Sequence, residues 1–204
     1  MDVKNKYSAI ILMAGKSARL GQPKAWLSFD PEFNFIQNLV YQYTQAGIEN
    51  IVLVTHSQLI KQLKKQIHEN LNANSIKIVC NIRPVSDRFY SIKLGLNNID
   101  NSFPVFIQNI DNPFTTSGLL NQMKAKIEPG KYVVPVYLGK KGHPVLLSKE
   151  ILQHIKEIKS DSEDLRVILE KFSFEEVPVD DEKLLANINT EEDYIKYFNH
   201  AIPV

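Results

Sequence analysis

Near its N-terminus the chain carries the stretch Ile10-Ile11-Leu12-Met13-Ala14-Gly15-Lys16-Ser17-Ala18-Arg19-Leu20-Gly21-Gln22-Pro23-Lys24. Residues 9–13 are apolar without polar alternation, which is typical of a strand buried on both faces of a parallel sheet. At Gly15 the apolar run ends in a small, polar and basic loop. Gly15 and Gly21 allow a tight turn that brings backbone N–H groups close to an anion. The stretch therefore predicts a first strand followed by a phosphate-binding loop.

The loop is strongly basic for its length. It holds Lys16, Arg19 and Lys24, and the sequence has no acidic residue between Asp2 and Asp30. Considered alone, a short loop of this composition is more often a solvated turn with surface cations. The order of its residues is what favours nucleotide binding.

Two familiar phosphate loops do not match this order. The P-loop G-x-x-x-x-G-K-[ST] requires Gly-Lys-Ser/Thr at its end, whereas Gly21 is followed by Gln22-Pro23-Lys24, and the dinucleotide pattern G-x-G-x-x-G is absent. Residues 12–24 instead resemble L-A-A-G-x-S-x-R-M-G-x-P-K, the nucleotide-binding signature of the MobA-like NTP-transferases. That group holds the molybdenum-cofactor cytidylyltransferases and guanylyltransferases. Met13 and Leu20 are the two departures from the signature.

Composition bounds the protein's class. The chain has 204 residues, enough to bury a full core, and we expect one NTP-transferase domain over 1–204. Its 24 basic and 23 acidic residues are mixed and give a net charge of +1. This balance provides no electrostatic footprint for nucleic acid or a membrane surface. A site that binds an anion must therefore be formed by a local cluster of basic residues.

The single cysteine, Cys80, excludes an internal disulfide and fits a reducing compartment. It ends an apolar run, so we predict that it is buried in the core and is not a nucleophile. The N-terminal segment lacks a signal-peptide layout, and residues 9–13 are too few to span a bilayer. We expect a soluble cytoplasmic protein, a monomer or weak homodimer.

Apolar runs and amphipathic stretches alternate along the chain. This βαβα rhythm predicts a mostly parallel α/β sheet with helices on both faces. The predicted strands are 9–13, 51–55, 76–80, 104–108 and 132–136; the predicted helices are 35–46, 58–71, 89–96, 115–127, 148–158, 164–172 and 190–198. Residues 139–142 predict a hairpin into 144–147, where we expect the sheet's antiparallel pairing. The resemblance implies the three-layer, Rossmann-like fold of nucleotide-diphospho-sugar transferases.

A carboxylate follows the fourth predicted strand, in Asp111-Asn112-Pro113. Ligands of open α/β sheets bind at the carboxyl ends of the strands. A carboxylate facing a polyphosphate loop would repel the ligand unless a divalent cation lay between them, and Mg²⁺ binds through one or two carboxylates plus substrate phosphates. The alternative is a turn-forming Asp. The resemblance to the family's D-Q-P or D-M-P segment implies that Asp111 holds Mg²⁺ (or Mn²⁺).

Two later segments also resemble the family. Residues 142–147 match G-H-P-V-L-L/F, which implies that His143 lines the acceptor side, although His143 could equally be a structural hydrogen-bonding residue. Residues 187–193 resemble the family's segment D-I-D-T-P-E-D or N-I-N-T-P-E-D, which implies that Asn189 is the second metal ligand. The simpler interpretation is that Asn189 and Thr190 cap a helix, and both roles can hold together. Thr190 is the predicted cap of the helix 190–198, with Asp193 three residues later in the position of a capping box.

A looser match covers 81–96, like the family's N…G-R-x-x-S-I/L-x-x-G-L beside base and ribose, and it implies nucleotide contacts for Asn81 and Ser91. Asp87 stands where glycine is usual, which leaves base recognition open. Residues 160–166 keep an Asp and an Arg of the family's G-D-x-G-x-R segment but no glycine. The acceptor therefore need not be molybdopterin.

The resemblance implies nucleotidyl transfer from an NTP to a phosphorylated small molecule, with release of pyrophosphate. The implied catalytic residues are Arg19, Lys24 and Asp111, the implied metal ligands are Asp111 and Asn189, and the implied nucleotide and acceptor contacts are Leu12, Ala14, Gly15, Lys16, Ser17, Asn81, Ser91 and His143. Ala14 and Pro23 are similar to the CTP-type signature, which implies that CTP is the donor and that GTP is less favoured. Two alternatives remain: another nucleotidylyltransferase of this fold that acts on a sugar or alditol phosphate, and a nucleotide-binding protein without catalysis.

Overall fold

The computed structural model describes residues 7–15, 20–70, 76–83, 88–100 and 102–199, the side chains of 67–70 excepted. The strands are β1 Ser8–Leu12, β2 Asn50–Thr55, β3 Ile76–Cys80, β4 Val105–Asn109, β5 Tyr132–Tyr137, β6 Lys140–Lys141, β7 Val145–Leu147 and β8 Phe174–Pro178. The helices are α1 Phe35–Gln45, α2 Ser57–Asn70, α3 Arg88–Leu96, α4 Ser117–Lys126, α5 Lys149–Glu157, α6 Leu165–Leu169 and α7 Glu191–Phe198, with short 3₁₀ turns at Lys24–Trp26 and Glu182–Leu185. In the described part of the chain, no helix has both the length and the apolar content to cross a membrane.

The strands form one mixed, mostly parallel sheet in the order β3-β2-β1-β4-β7-β5-β6, with β8 paired to β5. Strands β3, β2, β1 and β4 run parallel, and β8 runs parallel to β5. Strand β7 is antiparallel to both of its neighbours, β4 and β5, and β6 is antiparallel to β5. The predicted α/β class with a mostly parallel sheet is confirmed.

The sheet has a hydrophobic core on each face. In β1, Ala9 and Ile11 pack into one core with residues of α1 and α4, whereas Ile10 and Leu12 pack into the other with residues of α3 and α5. Burial on both faces explains why residues 9–13 show no polar alternation. Each fully buried aliphatic side chain contributes about 1.5–3 kcal/mol to folding.

The predicted antiparallel pairing of 132–136 with 144–147 is confirmed, because β5 pairs with β7 through Tyr132 and Leu147. The connection differs from the predicted turn at 139–142, since residues 140–141 form β6, and the sheet adds pairings that local pattern did not predict. Strands β5 and β6 pair through Tyr137 and Lys140, across a turn in which Leu138 and Gly139 both have positive φ. Strand β7 also pairs with β4, so antiparallel pairing is not confined to the hairpin. Strand β8 was not predicted, because most of its side chains remain at least partly exposed and form no apolar run.

Other differences are small. Helix α6 is shorter than the predicted 164–172, and the predicted end of α2 at residue 71 lies outside the described residues. Cys80 is partly exposed and not fully buried as predicted, because β3 is the edge strand of the sheet.

Candidate active site

The loops after β1 and β4 begin at the same edge of the sheet. The two strands are parallel neighbours in which Leu12 is paired with Asn109, and the backbone N–H of Ile110 donates to the carbonyl of Leu12 at 3.1 Å. Leu12 is buried, Ala14 is half-buried, and Gly15 is exposed at the carboxyl end of β1. The sheet register therefore brings the start of the predicted nucleotide loop beside Asp111. Lys16, Ser17 and Arg19 lie outside the described residues, so their roles stay predictions.

Lys24 lies between two side chains that the sequence predicts as metal ligands. It begins the short 3₁₀ turn that follows Pro23. Its ammonium is 2.6 Å from Oδ1 of Asn189 and 3.4 Å from Oδ2 of Asp111. The side chains of Lys24 and Asp111 are 13% and 25% exposed. The structure thus brings three predicted site residues to one point, while their chemical roles remain predictions.

Asn189 is held at this point by the chain on both sides of it. The backbone N–H of Ile188 donates to the carbonyl of Asp111 at 2.7 Å. The N–H of Asn189 donates to Oδ2 of Asp193 at 2.9 Å, and its side-chain amide donates to the carbonyl of Asn187. Its amide oxygen is thereby directed towards Lys24.

Helix α7 is capped by Thr190. The Thr190 hydroxyl accepts from the N–H of Asp193, and the Asp193 carboxylate accepts from the N–H of Thr190, so the two form the predicted capping box. Although burial acts to raise it, backbone hydrogen bonds from Asn189 and Thr190 hold the pKa of Asp193 below its usual range. The helix-cap interpretation is therefore correct for Thr190, and the Asn189 side chain is not needed for it.

The donor set fits a divalent cation. Oδ1 of Asp111 is buried and has no hydrogen-bond partner within the described residues, whereas Oδ2 already faces the positive charge of Lys24. Among those same residues, no group of three His, Cys, Asp or Glu side chains converges. One carboxylate and one amide oxygen leave coordination positions for phosphate oxygens and water, which is the way Mg²⁺ is usually bound.

His143 precedes β7 on the other side of Asp111. Its Nε2 lies 3.3 Å from the side-chain nitrogen of Asn109, the last residue of β4, and the His143–Pro144 peptide bond is cis. Burial lowers the pKa of His143 to about 4; the positive charge of Arg88 contributes, and Asp111 opposes it. His143 is therefore neutral at physiological pH and can take part in hydrogen bonds but not in ion pairs.

A cavity of about 400 Å³ opens beside His143. Its lining combines apolar side chains of β5, β7 and α6 with charged ones, namely Arg88, Lys141, Asp164, Arg166 and Glu170. The charge of Arg88 acts on both Asp111 and Asp164, so this arginine connects the cavity to the cluster around Lys24 electrostatically. The sequence alone assigns no role to Arg88. Its match to the Arg of the family's G-R-x-x-S-I/L segment is the feature of the sequence that could have identified it as a site residue.

Asn81 and Ser91 contact each other. The side-chain amide of Asn81 donates to the Ser91 hydroxyl at 2.9 Å, and its oxygen accepts from the N–H of Arg83. Both residues are almost fully buried. This pair ties the residue after β3 to α3, and contact of either side chain with a nucleotide stays a prediction.

Three known proteins are similar to this chain over nearly its whole length. A "Probable molybdenum cofactor guanylyltransferase" from Bacillus anthracis is 23% identical over 210 residues, which cover 94% of this chain and 96% of the relative. The crystal structure of Rv0371c from Mycobacterium tuberculosis H37Rv superposes with a TM-score of 0.78 at 18% identity, over 96% of this chain and 100% of the other. A nucleotidyl transferase from Methanothermobacter thermautotroptrophicus gives a TM-score of 0.76 at 16% identity, over 95% and 96% of the two chains.

The family model described as MobA-like NTP transferase domain matches residues 9–177, which include the loop after β1, Asp111 and the cavity-lining part of the chain. This match covers well over half of the sequence. The chain belongs to the MobA-like NTP transferase domain family.

Proposed function

We propose that this protein transfers a nucleoside monophosphate from an NTP to a phosphorylated small molecule and releases pyrophosphate. The observation that carries the proposal is the meeting of Lys24, Asp111 and Asn189 at the carboxyl ends of β1 and β4. Membership of the MobA-like NTP transferase domain family supports it. A loop that binds the nucleotide, a cation and a carboxylate are the parts that such a transfer requires.

The chain's own residues bind and orient the reactants. Backbone N–H groups of 14–17, together with Arg19, hold the β- and γ-phosphates. The Lys24 ammonium turns towards the α-phosphate and stabilises the negative charge that develops there. An oxygen of the acceptor phosphate forms a bond to the α-phosphorus, and the bond from that phosphorus to the bridging oxygen breaks as pyrophosphate leaves. A phosphate monoester is ionised near neutral pH, so no general base is needed.

Asp111 and Asn189 would hold the Mg²⁺ or Mn²⁺ ion. When bound, such an ion neutralises negative charge on the phosphate oxygens. Oδ1 of Asp111 supports this assignment, because it is buried and has no hydrogen-bond partner among the described residues.

The acceptor occupies the cavity beside His143. Its mixed lining of apolar and charged side chains, Arg88 among them, suits a phosphorylated organic molecule. The related guanylyltransferase supports molybdopterin as that acceptor. The glycine-poor segment 160–166 departs from the family's pattern on the acceptor side, so a sugar or alditol phosphate remains the second candidate.

Two indications bear on the base of the NTP. Ala14 and Pro23 favour CTP, and CTP is the donor that the sequence predicts. The related protein named a guanylyltransferase favours GTP as the second candidate. Direct competition of the two nucleotides for the purified protein decides between them.

Two measurements test the proposal in order. Thermal unfolding is followed with each of the four NTPs and Mg²⁺; a ligand present at 100 times its Kd stabilises the native state by about 2.7 kcal/mol. Pyrophosphate release is then measured with phosphorylated acceptors, using Asp111→Asn as the inactive control. We expect stabilisation by CTP or GTP and turnover with one acceptor. Stabilisation without turnover on any acceptor would favour a non-catalytic nucleotide-binding protein, and no stabilisation would contradict both.

A further inference from the structure

We propose that Asn112 is a positioning residue that holds Asn189 beside Asp111. Asn112 follows Asp111 directly but is completely buried, and its side chain is directed into the protein. The inference rests on the proposed function, because it explains how the two proposed metal ligands, 78 residues apart in sequence, come to share one cation site.

Three hydrogen bonds tie the segment before α7 to the end of β4. The side-chain amide of Asn112 donates to the carbonyls of Leu184 at 3.0 Å and Ala186 at 2.6 Å. The carbonyl of Asp111 accepts from the N–H of Ile188 at 2.7 Å. Residues 186–189 belong to no helix or strand, so regular secondary structure does not determine their path. These bonds therefore set where Asn189, the next residue, lies.

The carbonyl of Leu184 is a junction of three loops. Besides the Asn112 amide it receives the backbone N–H of His143 at 3.4 Å. The chain approaches so closely there that a Cβ on Gly142 would lie 2.7 Å from the same oxygen. Each loop carries one predicted site residue: Asp111, His143 or Asn189. The junction is thus placed to fix all three relative to one another.

Asn112 is itself held in place. Its carbonyl accepts from the side-chain amide of Gln108 at 2.8 Å, and Gln108 in turn accepts from Tyr43 and Thr115. Oδ1 of Asn112 is buried and has no partner in the described part of the chain, which is unfavourable. An apolar side chain would avoid that cost, but it would remove the Asn112 donor from the carbonyl of Ala186 and leave the carbonyl of Leu184 with the longer bond from His143. The donor capacity of Asn112 is therefore the property that this position requires.

Asn38 provides a matched control. It is equally buried, and its amide donates to the carbonyl of Pro113 at 2.9 Å, next to Asn112 in sequence. Asn38→Ala therefore removes a comparable buried hydrogen bond without touching the segment 184–189. A purely structural role for Asn112 predicts the same behaviour for both alanine variants.

The test is Mn²⁺ binding to the full chain, measured from the EPR signal of free Mn²⁺. We expect Asn112→Ala to weaken Mn²⁺ binding on the order of tenfold or more, as substitutions of residues that orient metal ligands do. Asn38→Ala should bind Mn²⁺ with the affinity of the unchanged protein. Equal affinities of the two variants would overturn the inference. Asn112→Ser, which keeps one donor, should give an intermediate affinity and guards against poor folding of the alanine variant.

Amide hydrogen exchange at Ile188 gives a readout that needs no metal. We expect faster exchange at Ile188 in Asn112→Ala than in Asn38→Ala, and equal rates would count against the inference. Asp111→Asn separates the two proposals. If Asp111→Asn retains full Mn²⁺ affinity, the proposed metal site is wrong. If Asp111→Asn loses Mn²⁺ affinity while Asn112→Ala binds Mn²⁺ normally, the positioning role of Asn112 alone is refuted.

Discussion

The ammonium of Lys24 lies 2.6 Å from the amide oxygen of Asn189, across 165 residues of sequence, and 3.4 Å from the carboxylate of Asp111. The lysine therefore supplies a positive charge at the point where the two oxygens converge. A divalent cation held by the same oxygens would compete with it. Nucleotide phosphates would relieve this competition by drawing the ammonium towards themselves.

Replacing Lys24 by Met is expected to have opposite effects on metal and on catalysis. Without nucleotide, Lys24→Met should bind Mn²⁺ more tightly, on the order of tenfold, because a charge-assisted hydrogen bond no longer competes. Nucleotidyl transfer should fall by about 10²–10³-fold, since the charge on the α-phosphate loses its partner. Free Mn²⁺ by EPR and pyrophosphate release measure the two effects.

Lys131→Met is the control for the loss of one lysine charge. Lys131 pairs with Glu128 and Glu175, away from the cluster. Lys131→Met should leave Mn²⁺ affinity and turnover unchanged. Weaker Mn²⁺ binding in Lys24→Met would refute the idea that the Lys24 ammonium competes with the metal ion for the oxygens of Asp111 and Asn189.

Two adjacent alanine substitutions separate the metal-ligand role from the helix-cap role. Asn189→Ala should weaken Mn²⁺ binding several-fold with little change in the free energy of unfolding, since its side chain does not cap α7. Thr190→Ala should cost about 1 kcal/mol of stability, because the capping hydroxyl is lost. Urea unfolding and Mn²⁺ titration of both variants check this. A large loss of stability in Asn189→Ala would restore the cap interpretation for that residue.

His143 should make the stability of the protein depend on pH. Burial lowers its pKa from 6.5 to about 4, so between these values the unfolded chain binds more protons than the folded one. The contribution of His143 to the free energy of unfolding is therefore fully present above pH 6.5, the pKa in the unfolded chain. It is lost as the pH falls towards 4, by about 3 kcal/mol in all. The difference in unfolding free energy between the unchanged protein and His143→Gln should shift by this amount. A constant difference between pH 7 and 4.5 would contradict it.

Two glycines should respond oppositely to alanine. A Cβ at Gly142 would lie 2.7 Å from the carbonyl oxygen of Leu184, a backbone atom that cannot turn aside, so Gly142→Ala should destabilise by about 1–3 kcal/mol. Gly118, near the start of α4, has nothing closer than 3.9 Å, and Gly118→Ala should be neutral or stabilise by up to about 1 kcal/mol. Thermal and urea unfolding compare the two. Equal effects would show that the junction at Leu184 tolerates expansion.

Local sequence pattern was enough to predict elements whose burial is continuous. The buried strands β1 and β2 appear in the sequence as apolar runs, and the Thr190–Asp193 capping box was also predicted. Strand β8 was missed, because its pairing with β5 leaves most of its side chains partly exposed and leaves no apolar period. The position of β7 between β4 and β5 was also missed, because strand order depends on packing of the whole sheet.

The sequence by itself determined the α/β class and the family, because these depend on residue order within short windows, and it predicted a phosphate-binding loop after β1. It also marked Lys24, Asp111 and Asn189 as separate candidates. The tertiary structure alone decided that their side chains meet, that the Asn189 side chain takes no part in the cap of α7, and that Arg88 faces the cavity. Distances between side chains so far apart in sequence are set by sheet register and by the hydrogen bonds of the irregular segment before Asn189, which have no signature in local periodicity.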